Sequence, residues 1–260
     1  MKNLLDKIIE TKRLQVSYEK TDIEFSEWER QPLFKREIFS LKSFLDDADK
    51  TGIIAEFKRK SPSKGVINDS STIYEITKAY TEKGASGLSI LTDKMFFGGW
   101  ANDLKEARFN QIPILRKDFI IDEYQVVETK GIGADVILLI AACLSPGEVR
   151  KLSIFAKNIG LEVLLEIHNE EELEHICEEV DFVGVNNRNL KTFEVDINTS
   201  LQLINKMPAD KPAISESGIS DVDTIVTLRQ AGYKGFLIGE NFMKEGNPGK
   251  AFEEFVNNLK

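Results

Sequence analysis

From Ile53 onward, short apolar runs alternate with longer segments whose apolar positions recur at helical spacing. The runs are Ile53–Lys58, Gly87–Leu91, Ile114–Lys117, Asp135–Ile140, Glu162–Ile167, Phe182–Asn186, Ala213–Glu216 and Gly235–Ile238. They are rich in Val, Ile, Leu and Phe, as strands buried on both faces are. Helical candidates lie between them at about 70–83, 101–109, 122–131, 145–158, 169–178, 197–206 and 220–231, with a last one near 248–258. Ser145-Pro146 puts a capping residue before proline, and Asp122, Asn169 and Ser220 stand at other starts. Gly84, Gly133 and Gly232 recur where helix gives way to strand, and glycine there accepts the left-handed backbone that stops a helix. Eight strands alternating with eight helices predict a closed (β/α)8 TIM barrel. A doubly wound open sheet would want a glycine-rich loop after its first strand, and Arg59-Lys60-Ser61-Pro62 does not supply one.

The chain before Ile53 has a different pattern. Residues 2–19 read as an amphipathic helix through Leu4, Leu5, Ile8, Ile9 and Leu14. Two more helical candidates follow, near Phe25 to Glu29 and from about Lys35 to Leu45. We expect one domain over residues 1–260, with 1–48 as a helical extension over the barrel mouth.

Composition narrows the class. Hydrophobic content of 42% and charged content of 30% fit a soluble globular chain. A net charge of −9 argues against affinity for nucleic acid or an anionic membrane, so an anionic substrate needs a local nest of donors. Cys143 and Cys177 lack metal-ligand spacing and are expected to be reduced. His168 and His175 are the only histidines, which leaves no basis for a multi-histidine metal site. There is no apolar run long enough for a membrane span and no signal-peptide core, so the expected location is the cytoplasm.

The barrel reading lines up charges at the carboxyl ends of the strands, where active sites of this fold lie. Glu56 and Lys58 share one face of the first strand. Lys117 closes the third strand, Glu166 the fifth, Asn186 and Arg188 the sixth, Glu216 and Ser217 the seventh. One such pair would be ordinary; this many at one end points to function. Gly218 and Gly239 follow the seventh and eighth strands and fit the common barrel phosphate site, with a short helix starting at Asn241 or Phe242. His168 is expected to cap or solvate its loop, and His175 to lie on the surface. Phe96-Phe97 and Phe119 are either core residues or an aromatic substrate wall.

Specific blocks accompany these residues: AEFKRKSPSKG (55–65), LTDKMFFGG (91–99), LRKDFIID (115–122), LLEIHNEEEL (164–173), VGVNNRNLKTFEVD (183–196), SESGI (215–219) and FLIGENFM (236–243). In this order they resemble the indole-3-glycerol-phosphate synthases over nearly the whole chain. The resemblance implies ring closure of 1-(2-carboxyphenylamino)-1-deoxyribulose 5-phosphate to indole-3-glycerol phosphate, in tryptophan biosynthesis, with no cofactor or metal. It makes Lys117 the general acid, Glu166 the general base, and Lys58 and Glu56 a supporting pair. It makes Asn186, Arg188, Glu216 and Ser217 substrate contacts, beside which Phe97 and Phe119 are expected to bind substrate from their loop positions. It puts Ser61, Gly218, Gly239 and Glu240 at the phosphate. Lys117 is expected to have a lowered pKa among neighbouring cations. The loop Met95-Phe96-Phe97-Gly98-Gly99-Trp100 departs from the family pattern, with Trp100 in place of a small polar residue. The expected partner is a small phosphorylated molecule, with no nucleic acid or membrane, and the expected state a monomer or weak homodimer. The rivals are a related barrel isomerase of a phosphorylated sugar and a catalytically inactive phosphosugar-binding barrel.

Overall fold

The computed structural model describes residues 3–190 and 192–259. Eight parallel strands close a barrel: β1 (Ile53–Phe57), β2 (Gly87–Leu91), β3 (Ile114–Lys117), β4 (Val136–Ile140), β5 (Glu162–Ile167), β6 (Phe182–Asn186), β7 (Ala213–Glu216) and β8 (Gly235–Ile238). Each strand pairs with its neighbours in sequence, and β8 returns to β1 with Phe236 opposite Ile53. The expected strands agree within a residue at their ends.

Alternation along the strands splits the core in two. Ile53, Ala55 and Phe57 face the surrounding helices, with Leu88, Ile137 and Val163. Ile54 points inward and meets Leu115, Leu138, Leu164, Ile214 and Leu237. Two residues further along, the same inward parity yields Glu56, Lys117, Glu166 and Glu216. The barrel interior is therefore apolar until its last layer, which is charged.

The N-terminal extension runs from mouth to base. Helix α1 (Leu4–Asp22) is capped by Asn3 and places Leu4, Leu5 and Ile8 against the cavity at the mouth. Helix α2 (Phe25–Glu29) packs Trp28 over Gly131, where a Cβ would come within 2.9 Å of the indole. The Trp28 indole N–H donates to the Tyr124 hydroxyl at 2.9 Å. Helix α3 (Leu41–Asp46) then closes the base with Leu41 and Leu45.

Some expectations needed correction. The span from Lys35 to Leu45 is not one helix. A 3-10 turn (Pro32–Lys35) precedes an extended stretch because Arg36 and the backbone N–H of Phe39 both donate to Asp135 Oδ1, at 2.7 and 2.9 Å. The segment 169–178 forms only a 3-10 turn, Glu171–His175. His175 is buried, not on the surface; its Nε2 lies 2.9 Å from the Leu144 carbonyl. The first two residues of the chain, including the start expected for the first helix, lie outside the described residues. Among the described residues no helix is long and apolar enough to cross a membrane. Cys143 and Cys177 are free.

Candidate active site

The charged layer meets at the barrel mouth. Lys117 Nζ lies 2.8 Å from Glu166 Oε2 and 3.8 Å from Glu216 Oε2. Lys58 Nζ lies 2.9 Å from Glu56 Oε1, as expected for two residues on one face. Asn186 Nδ2 donates to Glu166 Oε1 at 3.1 Å. Gly184, inside β6, makes room for this cluster: a Cβ there would stand 2.3 Å from Glu216 Oε1. The position was not anticipated, although a glycine within a buried strand is itself a sign of close approach.

The electrostatics separate the two central carboxyls. Burial would favour the neutral amine of Lys117, but Glu166, Glu216 and Glu56 outweigh it and raise its pKa above the ordinary lysine value. The expected lowering is thus reversed: the nearest charges are carboxylates rather than cations. Burial opposes ionisation of Glu166, yet Lys117 and His168 overcome it and hold its carboxyl below the usual range. Glu216 moves the other way. Burial, and then the Glu166 charge, raise it, and Lys117 is too distant to compensate. Its Oε1 has no hydrogen-bond partner among the described residues. The pair is therefore split in direction, Glu166 toward the carboxylate and Glu216 toward the acid.

One cavity gathers the expected residues. Glu56, Lys58, Lys117, Glu166, Asn186 and Glu216 form its charged floor. Phe97 and Phe119 border it with ring centroids 6.1 Å apart and planes tilted by 39°. Of Met95–Trp100, Phe97 alone reaches the cavity. Trp100 is turned outward, half-exposed, with Lys94 Nζ 4.1 Å above its ring, so the departure in this loop lies away from the floor.

Ser61, Arg188, Ser217 and Glu240 border the other side. There the cavity adjoins a second pocket lined by Lys64, Gly218, Ser220, Gly239 and Asn241. Ser217 and Gly218 are successive left-handed residues, φ 66° and 78°, and both line this pocket. The short helix Glu240–Met243 starts at the same place. Glu240 lies 3.6 Å from Arg188 and 3.8 Å from Lys64, so it gathers two cations at the pocket's edge.

Two features escaped sequence reasoning. His168 does more than cap its loop; its Nε2 lies 3.1 Å from Glu166 Oε1. Lys12 of α1 is buried and reaches Asp93 at 3.0 Å and Asp118 at 2.9 Å. Asp93 in turn caps the short helix that carries Phe97. The sign was present in the sequence: Lys12 falls between Ile8 and Val16 at i±4 on the buried face of α1. The described residues contain no group of three or more His, Cys, Asp or Glu suited to a metal ion.

Comparison with known proteins gives the family. Residues 5–255 match the family model for indole-3-glycerol phosphate synthase. A Bacteroides thetaiotaomicron protein named indole-3-glycerol phosphate synthase is 47% identical over 257 residues, covering 98% of each chain. One of the same name from Polynucleobacter asymbioticus is 41% identical over 264 residues, covering 98% of this chain and 99% of the relative. Among solved structures, a 3-hexulose-6-phosphate synthase superposes with a TM-score of 0.63 at 15% identity, over 80% of this chain and 99% of the other. A chain of the Pyrococcus furiosus tryptophan synthase complex gives 0.60 at 16% identity, over 81% and 98%. Those two likenesses speak for the barrel alone. The family match, near-complete on both sides, decides the rest: the chain belongs to the indole-3-glycerol phosphate synthase family.

Proposed function

We propose that the protein closes the indole ring of 1-(2-carboxyphenylamino)-1-deoxyribulose 5-phosphate, giving indole-3-glycerol phosphate, carbon dioxide and water. The carrying observation is Lys117, fixed between Glu166 and Glu216 at the centre of the mouth. An aromatic pair stands on one side of it and a glycine-lined pocket on the other. In this reading the substrate ring lies against Phe97 and Phe119. Arg188 faces its carboxylate, with a guanidinium suited to paired hydrogen bonds. The phosphate takes the pocket at Gly218 and Gly239, beside Ser61, with Glu240 at its flank.

The ring carbon bearing the carboxylate attacks the ketone carbon, and electrons move onto the ketone oxygen. Lys117 is protonated and lies near the cavity floor, so it donates to that oxygen. Its raised pKa does not prevent transfer, because the developing alkoxide is the stronger base. The new carbon–carbon bond breaks the ring's aromaticity, and loss of carbon dioxide returns it. The hydroxyl then leaves as water, helped by an acid, while a base takes a proton from the adjacent carbon. Glu166, held ionised, suits the base; Glu216, holding a proton, is a donor to the substrate. Lys58 and Glu56 brace the floor, and Asn186 orients Glu166. General acid and base steps each contribute about 10²–10⁴-fold.

We also read residues 1–48 as part of the same folding unit, supported by the buried contacts of Lys12 and Trp28. A monomer or weak homodimer in the cytoplasm is consistent with a cavity that this one chain lines from its own residues. The test is turnover of the carboxyphenylamino substrate, followed by indole fluorescence and carbon dioxide release. Tight binding of that substrate without release of carbon dioxide would overturn the reading.

A further inference from the structure

His168 lies behind Glu166 and does not border the cavity. It is clamped from the far side. Glu172 Oε2 accepts the His168 backbone N–H at 2.7 Å and sits 3.1 Å from Nδ1, and Asn169 Nδ2 donates to Glu172 Oε1 at 3.0 Å. The opposite ring nitrogen faces Glu166 Oε1 at 3.1 Å. That contact is an ion-pair approach without hydrogen-bond geometry, and a carboxylate beside each nitrogen favours the imidazolium. The side chain is about nine-tenths buried, so the charge acts through protein rather than water. Glu166 therefore meets two cations and Asn186, while Glu216 faces Glu166 and has Lys117 at 3.8 Å as its nearest cation, with Oε1 left without a partner.

We propose that His168 is a positioning residue: its imidazolium, oriented by Glu172, keeps the proton of the adjacent carboxyl pair on Glu216 and leaves Glu166 free to act as base. This rests on the reading of Glu166 as the general base. The titratable groups around it are few. Glu166 comes from β5 and Glu172 from the following turn. Cys143, after β4, senses both carboxylates and is pushed up to about 12 by burial, so it stays a neutral thiol. Lys117 reaches His168 only through Glu166. Burial disfavours the imidazolium, but Glu166 and Glu172 together raise His168 to about 9.

The experiment is the pH dependence of kcat, at saturating substrate, in His168→Gln. Glutamine keeps an N–H donor near Glu166 and removes the charge. Without that charge Glu166 takes up its proton at higher pH, so the acidic limb moves upward. A move of about one unit makes kcat roughly tenfold lower than wild type on that limb. KM should stay within about twofold, because His168 touches no substrate. The gap should close at pH values above the limb, where Glu166 is ionised in both proteins. Glu172→Gln should move the limb the same way by less, and it decides the matter if His168→Gln does not fold. An unmoved limb in the folded variants, or a loss by the same factor at every pH, overturns the proposal. If the wild type itself does not turn over the substrate, the functional reading falls instead. Carbon-13 titration of the Glu166 carboxyl in wild type and variants then still tests the role of His168.

Discussion

At the base of the barrel, Asp135 is fully buried and both its oxygens are saturated. Oδ1 receives Arg36 and the Phe39 N–H; Oδ2 receives Arg108 at 2.5 Å and the Ile114 N–H at 2.7 Å. Glu162 beside it accepts from the Ser40 hydroxyl and the Leu41 N–H, both at 2.6 Å. At the mouth, Glu56, Glu166 and Glu216 share Lys58 and Lys117, and one Glu216 oxygen has no partner. The ingredients are alike, and the difference lies in completion. A buried carboxylate with every lone pair used fastens the extension to the barrel. A cluster with excess carboxylate and an idle acceptor costs stability and leaves capacity for a ligand.

Asp135→Ala should break the base end most severely. It leaves Arg36 and Arg108 facing each other without a counter-charge, together with two backbone N–H groups. Removing one member of a buried ion network costs about 3–5 kcal/mol. Urea unfolding should show that loss, while the folded enzyme keeps its kcat within about twofold. Lost turnover at unchanged stability would place chemistry at the base and erase the contrast.

Lys117→Ala should do the reverse. Turnover should fall at least ~10²-fold, equivalent to about 2.7 kcal/mol of barrier. The fold should survive, because Glu166 and Glu216 can take up protons from the open mouth. A variant retaining more than about a tenth of wild-type turnover contradicts the general-acid role.

Most of the mouth was legible because its residues lie at strand ends in a chain that alternates strand and helix. Glu56, Lys117, Glu166 and Glu216 follow from counting strands and taking their carboxyl ends. The direction of the Lys117 pKa was not legible, since it depends on which charges come within 4 Å across the barrel rather than along the chain. His168 stayed hidden for a different reason; it lies just past the end of its strand, and its approach to Glu166 depends on the turn in which Glu172 holds its backbone and ring. The base cluster was hidden further, because Arg36 and Asp135 are joined only when the extension wraps the barrel. That same contact broke the helix expected from Lys35 to Leu45.

Gly239→Val probes how the floor and the phosphate pocket meet. The backbone there, φ −128°, accepts a side chain, so the effect is steric. A Cβ would stand 2.6 Å from Glu56 Oε1 and 2.8 Å from Glu56 Cβ. Valine should displace Glu56 and crowd the anion together. KM should rise roughly tenfold, about 1.4 kcal/mol, with a smaller fall in kcat. Inorganic phosphate should compete with substrate in the wild type and compete less well in the variant. Equal inhibition of both proteins would move the anion site elsewhere.

The mildest effect tests whether incompleteness at the mouth costs stability at all. Burial and the Glu166 charge raise the Glu216 carboxyl in the folded state. An unfolded glutamate releases its proton near pH ~4.3. Between that pH and the raised folded value, the native protein holds a proton that the unfolded chain has lost. Stability therefore falls as pH climbs through this window. Glutamine at 216 copies the protonated acid in shape and hydrogen bonding but has no proton to lose. Glu216→Gln should thus gain on the wild type between about pH 5 and about pH 9, by an amount of order 1 kcal/mol in urea unfolding. Replacing a carboxylate by its amide at the base, Asp135→Asn, should cost stability at both pH values, since two arginines there need the charge. If Glu216→Gln loses ground as pH rises, the Glu216 carboxylate is well paired in the native state, and the mouth is as complete as the base.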